Sequence, residues 1–172
     1  KISIFSYPGA PIKQWLTQLN QFDIPVDIFM AFGNAELLNL QKQAWSNLKL
    51  ISLPFIPQDD FDYLLAQCDF NIVRGEDSFV RAQLVGRPFI WNIYPQDDGA
   101  HLIKLQAFLD LYLKEATPEL RAAVTKAMAW ADINQWWTAL PLWNQLARVW
   151  RSQLLESQTD GGLAARLLRF VS

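Results

Sequence analysis

The residues with the clearest chemical potential lie between positions 71 and 95, in the run NIVRGEDSFVRAQLVGRPFIWNIYP. An apolar strand pattern there meets Arg74 and Gly75, and a helical pattern follows. The first backbone amides of a helix lack internal partners and carry the positive end of its dipole, so such a turn forms an anion site. Arg74 adds a guanidinium group suited to phosphate oxygens. We therefore predict that this turn binds phosphate.

Two carboxylates, Glu76 and Asp77, follow in the same turn. They would repel a phosphate that they faced, so the hydroxyl groups of a ribose or another sugar are their more natural partners. Together with Arg74 and Ser78 they predict a site for a sugar nucleotide. The alternative is that the acidic residues and Ser78 only cap the helix, at about 1 kcal/mol each. Capping does not require Arg74.

Strand and helix patterns alternate through the first hundred residues. Strands are predicted at Ile2 to Tyr7, Val26 to Phe32, Leu48 to Leu53, Phe70 to Val73 and Pro88 to Ile93. The first helix carries Ile12, Trp15, Leu16 and Leu19, and further helices are predicted at Ala35 to Trp45, Asp60 to Gln67 and Ser78 to Val85. This alternation is typical of an α/β fold with a Rossmann-like parallel sheet and helices on both faces.

Beyond Gly99 only helical patterns follow, and we expect them to break near Pro118, Pro141 and Gly161-Gly162. We predict one domain over residues 1–172, in which residues 100–172 form a helical tail. The chain begins with Lys1 inside a strand pattern and without a methionine, so we expect it to be a piece of a longer protein.

Ligands of an open parallel sheet bind beyond the carboxyl ends of its strands, where most of the polar and aromatic candidates lie. The loop Pro54-Phe55-Ile56-Pro57-Gln58 is apolar, as contact with a flat base requires. Phe55 could stack on a pyrimidine, and the Gln58 amide offers the base a donor and an acceptor. The alternative is that Phe55 and Ile56 pack under the next helix.

Two further aromatic groups allow a structural and a functional interpretation. Phe5 and Tyr7 alternate along the first strand and share one face, as a pocket wall or as a core pair. The second group consists of tryptophans at a seven-residue spacing, Trp136, Trp143 and Trp150. They would align on one face of a helix except that Pro141 intervenes. We favour a helical core over a platform for a partner domain.

Composition excludes several function classes. The 172 residues are 51% hydrophobic and 19% charged, with a net charge of -2, as in soluble globular domains. No stripe of Lys and Arg predicts a nucleic acid partner, and no apolar run approaches the roughly 20 residues that cross a membrane. With no signal sequence at the start, we predict a cytoplasmic location.

The sequence shows no obvious catalytic base or nucleophile. Cys68 is the only cysteine and lies before an apolar strand, so we expect a buried small hydrophobe. His101, the only histidine, has no second metal ligand nearby, and no metal is expected. We would expect this absence in a substrate-binding domain whose catalytic base is supplied by a second domain.

The run NIVRGEDSFVRAQLVGRPFIWNIYPQ closely resembles the signature of the bacterial elongation factor P arginine rhamnosyltransferases, the EarP family. The resemblance covers nearly the whole chain, including FSY near the start, PFIPQDDFDYLLAQCD before the run, and a tryptophan-rich tail that ends in LLRFV. It implies the C-terminal domain of a two-domain GT-B glycosyltransferase, in which this half binds dTDP-rhamnose. The N-terminal half would bind elongation factor P and supply the catalytic aspartate for inverting transfer to an arginine.

On this resemblance the chain contains no catalytic residue and transfers no rhamnose alone, because the N-terminal domain is absent. The implied donor-pocket residues around the base and sugar are Phe5, Tyr7, Phe55, Gln58 and Phe61. Those around the ribose and diphosphate are Arg74, Glu76, Asp77 and Ser78. Glu76 would bind the ribose, Asp77 and Ser78 would offer backbone amides to the diphosphate, and Arg74 would neutralise it or hold Glu76. Tyr94, Gln96 and Asp97 would reach the donor's sugar or shape a turn.

dTDP-rhamnose is a substrate in this account, and no cofactor is implied. Two alternatives stay open from the sequence. One is a non-catalytic nucleotide-binding or protein-interaction module, whose working surface is the tryptophan face. The other is a GT-B transferase of the same fold that uses another sugar or another acceptor.

Overall fold

A five-stranded parallel sheet forms the centre of the computed structural model, which describes residues 1–30 and 35–156. Its strands are β1 Ile2–Ile4, β2 Val26–Met30, β3 Leu48–Ser52, β4 Phe70–Arg74 and β5 Phe89–Asn92. They lie in the order β3-β2-β1-β4-β5, and every neighbouring pair is parallel. The predicted open parallel sheet is confirmed.

Seven helices accompany this sheet in the described part of the chain. They are α1 Ile12–Leu19, α2 Ala35–Gln41, α3 Gln58–Gln67, α4 Gly75–Val85, α5 Ala100–Tyr112, α6 Pro118–Met128 and α7 Ile133–Glu156. The β1-α1-β2 and β4-α4-β5 units advance in opposite directions along the sheet, so right-handed crossovers place α1 and α4 on opposite faces. The helical tail begins at residue 100, as predicted. The expected break at Gly161-Gly162 and the end of the second predicted strand lie outside the described residues.

The strand order reverses between β1 and β4, and this reversal positions the site. From β1 the chain moves outward to β2 and β3, whereas from β4 it moves the other way to β5. The connections that leave β1 and β4 therefore separate and open a crevice at the carboxyl ends of these strands. The backbone N–H of Phe5 still donates to the carbonyl of Ile72 at 2.8 Å, which carries the chain beyond the end of β1 into that crevice.

Strand β4 is buried throughout its centre, which explains its apolar sequence. Ile72 and Val73 have no exposed surface, and Asn71, the polar residue that precedes them, is equally buried. Both polar atoms of its side chain are hydrogen-bonded: Asn71 Oδ1 accepts from Ser3 Oγ at 2.6 Å, and Asn71 Nδ2 donates to the carbonyl of Leu65 at 3.1 Å. Burial also raises the pKa of Cys68 to about 11, so its thiol stays neutral and acts as the predicted small hydrophobe.

The tryptophans of α7 form part of the core. Trp136 and Trp143 are 1% and 0% exposed, and Trp136 stacks on Phe70 with ring centroids 4.5 Å apart. Trp143 Nε1 donates to the hydroxyl of Tyr112 at 3.0 Å. The helical-core interpretation is confirmed, and a partner platform is wrong for these two residues. Since Phe70 is the first residue of β4, α7 packs at the amino edge of the sheet, which is the edge where the parallel strands begin.

Several predicted boundaries differ from the structure. Helix α7 passes through Pro141 without the expected break, because the packing of Trp136 and Trp143 outweighs the roughly 3 kcal/mol that an internal proline costs. Helix α2 ends before Trp45, whose indole turns back to donate to the carbonyl of Leu40 at 3.0 Å. Helices α3 and α4 begin two and three residues earlier than predicted, and β1 ends at Ile4 instead of Tyr7.

Candidate functional site

A cavity of about 690 Å³ opens beyond the carboxyl ends of β1, β3 and β4. This volume lies within the range of about 300–1,000 Å³ that is usual for small-molecule sites. All nine predicted donor-pocket residues line it: Phe5, Tyr7, Phe55, Gln58, Phe61, Arg74, Glu76, Asp77 and Ser78. The strand order thus brings together three segments that lie apart in the sequence, residues 5–7, 55–61 and 74–78.

The cavity has an apolar end formed by the loop between β3 and α3. Leu53, Pro54, Phe55 and Ile56 line it, together with Phe61 of α3. Phe55 is 88% exposed, so the alternative in which it packs under the next helix is wrong. The rings of Phe5 and Phe61 pack in a T-shaped arrangement with their centroids 5.5 Å apart, which closes the wall between β1 and α3. A flat aromatic group fits this end.

The opposite end is polar and centres on Arg74. Its guanidinium carbon lies 4.2 Å from the ring centroid of Phe5 and 5.1 Å from that of Tyr7, in cation–π contact with both. Arg74 Nη1 donates to the backbone carbonyl of Ser6 at 3.2 Å. Phe5 and Tyr7 therefore form the predicted pocket wall. A guanidinium group has five N–H donors, so this anchoring leaves donors for an anion.

The turn from β4 into α4 depends on Gly75, which has a φ of +62°. A Cβ atom there would lie 3.3 Å from the hydroxyl oxygen of Tyr7. Trp91 Nε1 donates to the Gly75 carbonyl at 3.1 Å, and Ser78 closes the turn by accepting from the Arg74 N–H at 3.1 Å and donating to the Arg74 carbonyl. The side chain of Arg74, which precedes α4, does not cap the helix, and the first four residues of α4 line the cavity.

The side chain of Asp77 does not cap α4 but links it to α3. Asp77 Oδ2 accepts from Arg81 Nε at 2.9 Å and from Gln58 Nε2 at 3.1 Å. The bond from Arg81 holds the pKa of Asp77 below its usual value, with a smaller contribution from the Gln58 amide, so this carboxylate is ionised at neutral pH. The capping alternative is wrong for Asp77. Glu76 lines the cavity with an exposed side chain.

Three supporting residues were missed by the sequence analysis. Asn92 Oδ1 accepts from the Tyr7 N–H at 2.7 Å, and Trp91 stacks on Phe79 at 3.8 Å while it holds Gly75. Arg81 forms ion pairs with Asp77 and with Asp62. The spacing of four residues between Asp77 and Arg81 on one helix was the available signal. Trp91 and Asn92 required knowledge that β5 lies beside β4.

The residues expected near the donor's sugar do not line the cavity. Tyr94 is 62% exposed and contacts the Tyr7 ring edge-on at 5.2 Å. Gln96 shapes a turn, since its N–H donates to His101 Nδ1 and its carbonyl accepts from the Gly99 N–H, both at 3.0 Å. Asp97 is exposed. For Gln96 the structure thus favours the turn interpretation.

Metal-binding clusters and membrane-spanning helices are both absent from the described ranges, 1–30 and 35–156. No three His, Cys, Asp or Glu side chains are grouped there so that they could hold a metal ion. None of the helices in those ranges has the length and apolarity that crossing a membrane requires.

The fold and the position of the cavity define the class, a Rossmann-like half of a GT-B glycosyltransferase. A solved structure concerned with EarP-mediated arginine glycosylation of translation elongation factor EF-P superimposes with a TM-score of 0.81 and 35% identity, covering 99% of this chain and 59% of that chain. The model of the family EarP, described as Elongation-Factor P (EF-P) rhamnosyltransferase EarP, matches residues 1–172. The chain belongs to this family.

Relatives named protein-arginine rhamnosyltransferase occur in several bacteria. The protein of Pseudomonas aeruginosa is 37% identical over an alignment of 191 positions, which covers 98% of this chain and 49% of that protein. The protein of Shewanella oneidensis is 41% identical over 160 residues, which cover 86% of this chain and 37% of that protein. The chain therefore spans about half the length of the curated relatives that it matches, or less.

Proposed function

We propose that this chain is the donor-binding half of an inverting glycosyltransferase, which moves rhamnose from dTDP-rhamnose to an arginine side chain of elongation factor P. The cavity carries the proposal, because it combines an apolar end for a base with a cationic end at the start of a helix. The family description and the names of the relatives support the sugar and the acceptor.

In the proposed complex the nucleotide lies across the cavity. Thymine stacks on Phe55 at the apolar end, and Gln58 binds its polar edge. The diphosphate lies at the start of α4, where the backbone amides of Asp77 and Ser78 donate to it and Arg74 neutralises it. The Glu76 carboxylate accepts from sugar hydroxyls.

This arrangement would promote the departure of dTDP. As the bond between the anomeric carbon and the diphosphate oxygen breaks, negative charge accumulates on that oxygen. Arg74 and the amides of α4 are already positioned for this charge, so the proposed reaction requires no metal. An attacking arginine nitrogen would form the new bond from the opposite face. Its proton would pass to an aspartate in the part of the relatives' length that this chain does not span.

That other part would also contact elongation factor P, and a translation factor as acceptor places the proposed reaction in the cytoplasm. Transfer of a different sugar, or to a different acceptor, remains the competing enzymatic proposal. The interaction-module alternative required an exposed tryptophan face, and Trp136 and Trp143 are buried.

Calorimetry and mass spectrometry test this proposal together. The 172-residue chain should bind dTDP with or without EDTA, should bind ADP more weakly, and should leave elongation factor P unmodified. A full-length enzyme with this chain as its C-terminal half should add one deoxyhexose to a single arginine. A preference for ADP would contradict the base site, a requirement for a divalent metal would contradict the role of Arg74, and an added group of another mass would support the competing sugar.

A further inference from the structure

Arg81 connects the two helices that form one wall of the cavity. On α4 it donates from Nε to Asp77 Oδ2 at 2.9 Å, and across to α3 it donates from Nη1 to Asp62 Oδ2 at 2.6 Å. The side chain of Arg81 is 22% exposed, whereas those of Asp62 and Asp77 are 43% and 71% exposed, so the guanidinium group is the least exposed member of this cluster. Arg81 is absent from the cavity lining, so its effect on a ligand must pass through other residues.

The residue through which it acts is Gln58, the neighbour of Asp77 on the cavity wall. An ionised carboxylate only accepts hydrogen bonds, so the atom of the Gln58 amide that faces Asp77 must be the NH₂ group. The reverse orientation would place two oxygens against each other. The bond to Asp77 therefore fixes which side of the Gln58 amide carries the oxygen, and this oxygen is the acceptor that the amide offers to a ligand.

A hydrogen-bond acceptor at the position of the Gln58 oxygen affects which pyrimidine base can bind. Thymine and uracil carry one donor on their polar edge, N3–H. Cytosine has a lone pair at N3, and its donor, the 4-amino group, lies at the neighbouring position. With the diphosphate held at the start of α4, the base enters in one register, and a cytosine N3 would face the Gln58 oxygen. A rotated amide would accept cytosine, and the link to Asp77 opposes that rotation.

We propose that Arg81 is a positioning residue, which holds Asp77 and through it fixes the Gln58 amide with its oxygen available for the base, so that the site selects pyrimidines with an N3–H over cytosine. This inference rests on the proposed nucleotide function and adds to it a determinant of specificity outside the cavity lining.

The ratio of the dissociation constants for dCDP and dTDP, measured by calorimetry on the full chain, tests this inference. The wild type should prefer dTDP by about tenfold, the effect expected for one hydrogen bond replaced by two opposed acceptors. Arg81→Met and Asp77→Asn should each lower the ratio to about threefold or less, and Arg81→Lys should restore part of it. Arg148→Met, at an exposed position of α7, is the matched control and should leave the ratio unchanged.

Gln58→Leu supplies the coupling test. In that background Arg81→Met should have no further effect on the ratio, because the residue through which Arg81 acts has been removed. A structural role for Arg81 would lower the unfolding midpoint and weaken both nucleotides equally.

A ratio that stays near the wild-type value in Arg81→Met and Asp77→Asn would overturn the inference while leaving the proposed function intact. So would equal affinities of the wild type for dCDP and dTDP. Failure of the wild type to bind either nucleotide would instead contradict the proposed function itself.

Discussion

The two edges of the sheet use aromatic residues in opposite ways. At the amino edge Trp136 and Trp143 of α7 are almost fully buried against Phe70 and its neighbours. At the carboxyl edge Phe55 is 88% exposed, and Phe5 and Phe61 are half-buried around the cavity. Aromatic content alone therefore does not identify a binding surface. The two edges differ because the strand order opens a crevice at the carboxyl edge, whereas α7 covers the amino edge.

Trp143→Ala should produce the largest effect, a loss of about 3–5 kcal/mol in the free energy of unfolding. The substitution leaves a large cavity and removes the donor to the buried Tyr112 hydroxyl. Chemical denaturation measures the loss. Leu142→Ala, half exposed on the same helix, is the control and should lose less than about 1 kcal/mol. Similar losses in the two variants would remove the contrast between the edges.

Arg74→Ala should weaken dTDP binding by about 10- to 100-fold, the range for a charged hydrogen bond of about 1.5–3 kcal/mol. Calorimetry should show that the affinity for thymidine, which has no phosphate, changes much less. Arg148→Ala provides a control for loss of charge at a distance from the cavity. Equal affinity of wild type and Arg74→Ala for dTDP would remove the phosphate role.

Phe55→Ala should weaken dTDP binding by about fivefold, or ~1 kcal/mol, through loss of base stacking. Because Phe55 is so exposed, the free energy of unfolding should stay within about 0.5 kcal/mol of the wild type. Tyr63→Ala is a suitable control, since Tyr63 is 69% exposed on α3 and does not line the cavity. A lower free energy of unfolding with unchanged affinity for dTDP would show that Phe55 has a structural role instead.

The smallest expected effect concerns the methyl group of thymine. Replacing dTDP by dUDP should weaken binding by about 1 kcal/mol or less, the value of one apolar methyl contact. Calorimetry with the two nucleotides measures it directly. A larger difference would indicate a tighter base pocket than the loop between β3 and α3 suggests.

The main elements of the fold were predictable because the local patterns agree with the tertiary structure. Buried parallel strands such as β4 are continuous apolar runs, and the turn at Gly75 follows from its glycine and the helical pattern behind it. The nine cavity residues were expected from the resemblance to the EarP family, and the general position of the site follows from the rule for ligands of parallel sheets.

The missed features depend on contacts between distant residues. Continuation of α7 through Pro141 depends on the packing of Trp136 and Trp143 against β4, and local propensity gives no sign of it. The hydrogen bond from Tyr7 to Asn92 spans 85 positions. Arg81 could be paired with Asp77 by spacing, but its contact with Asp62 requires the packing of α3 on α4.

A crystal structure of the chain with dTDP tests the central claim most directly. The account predicts the diphosphate at the start of α4, within hydrogen-bonding distance of the backbone amides of Asp77 and Ser78 and of the Arg74 guanidinium. It also predicts that thymine lies against Phe55. A diphosphate bound elsewhere on the molecule, with the start of α4 free of ligand, would contradict the account.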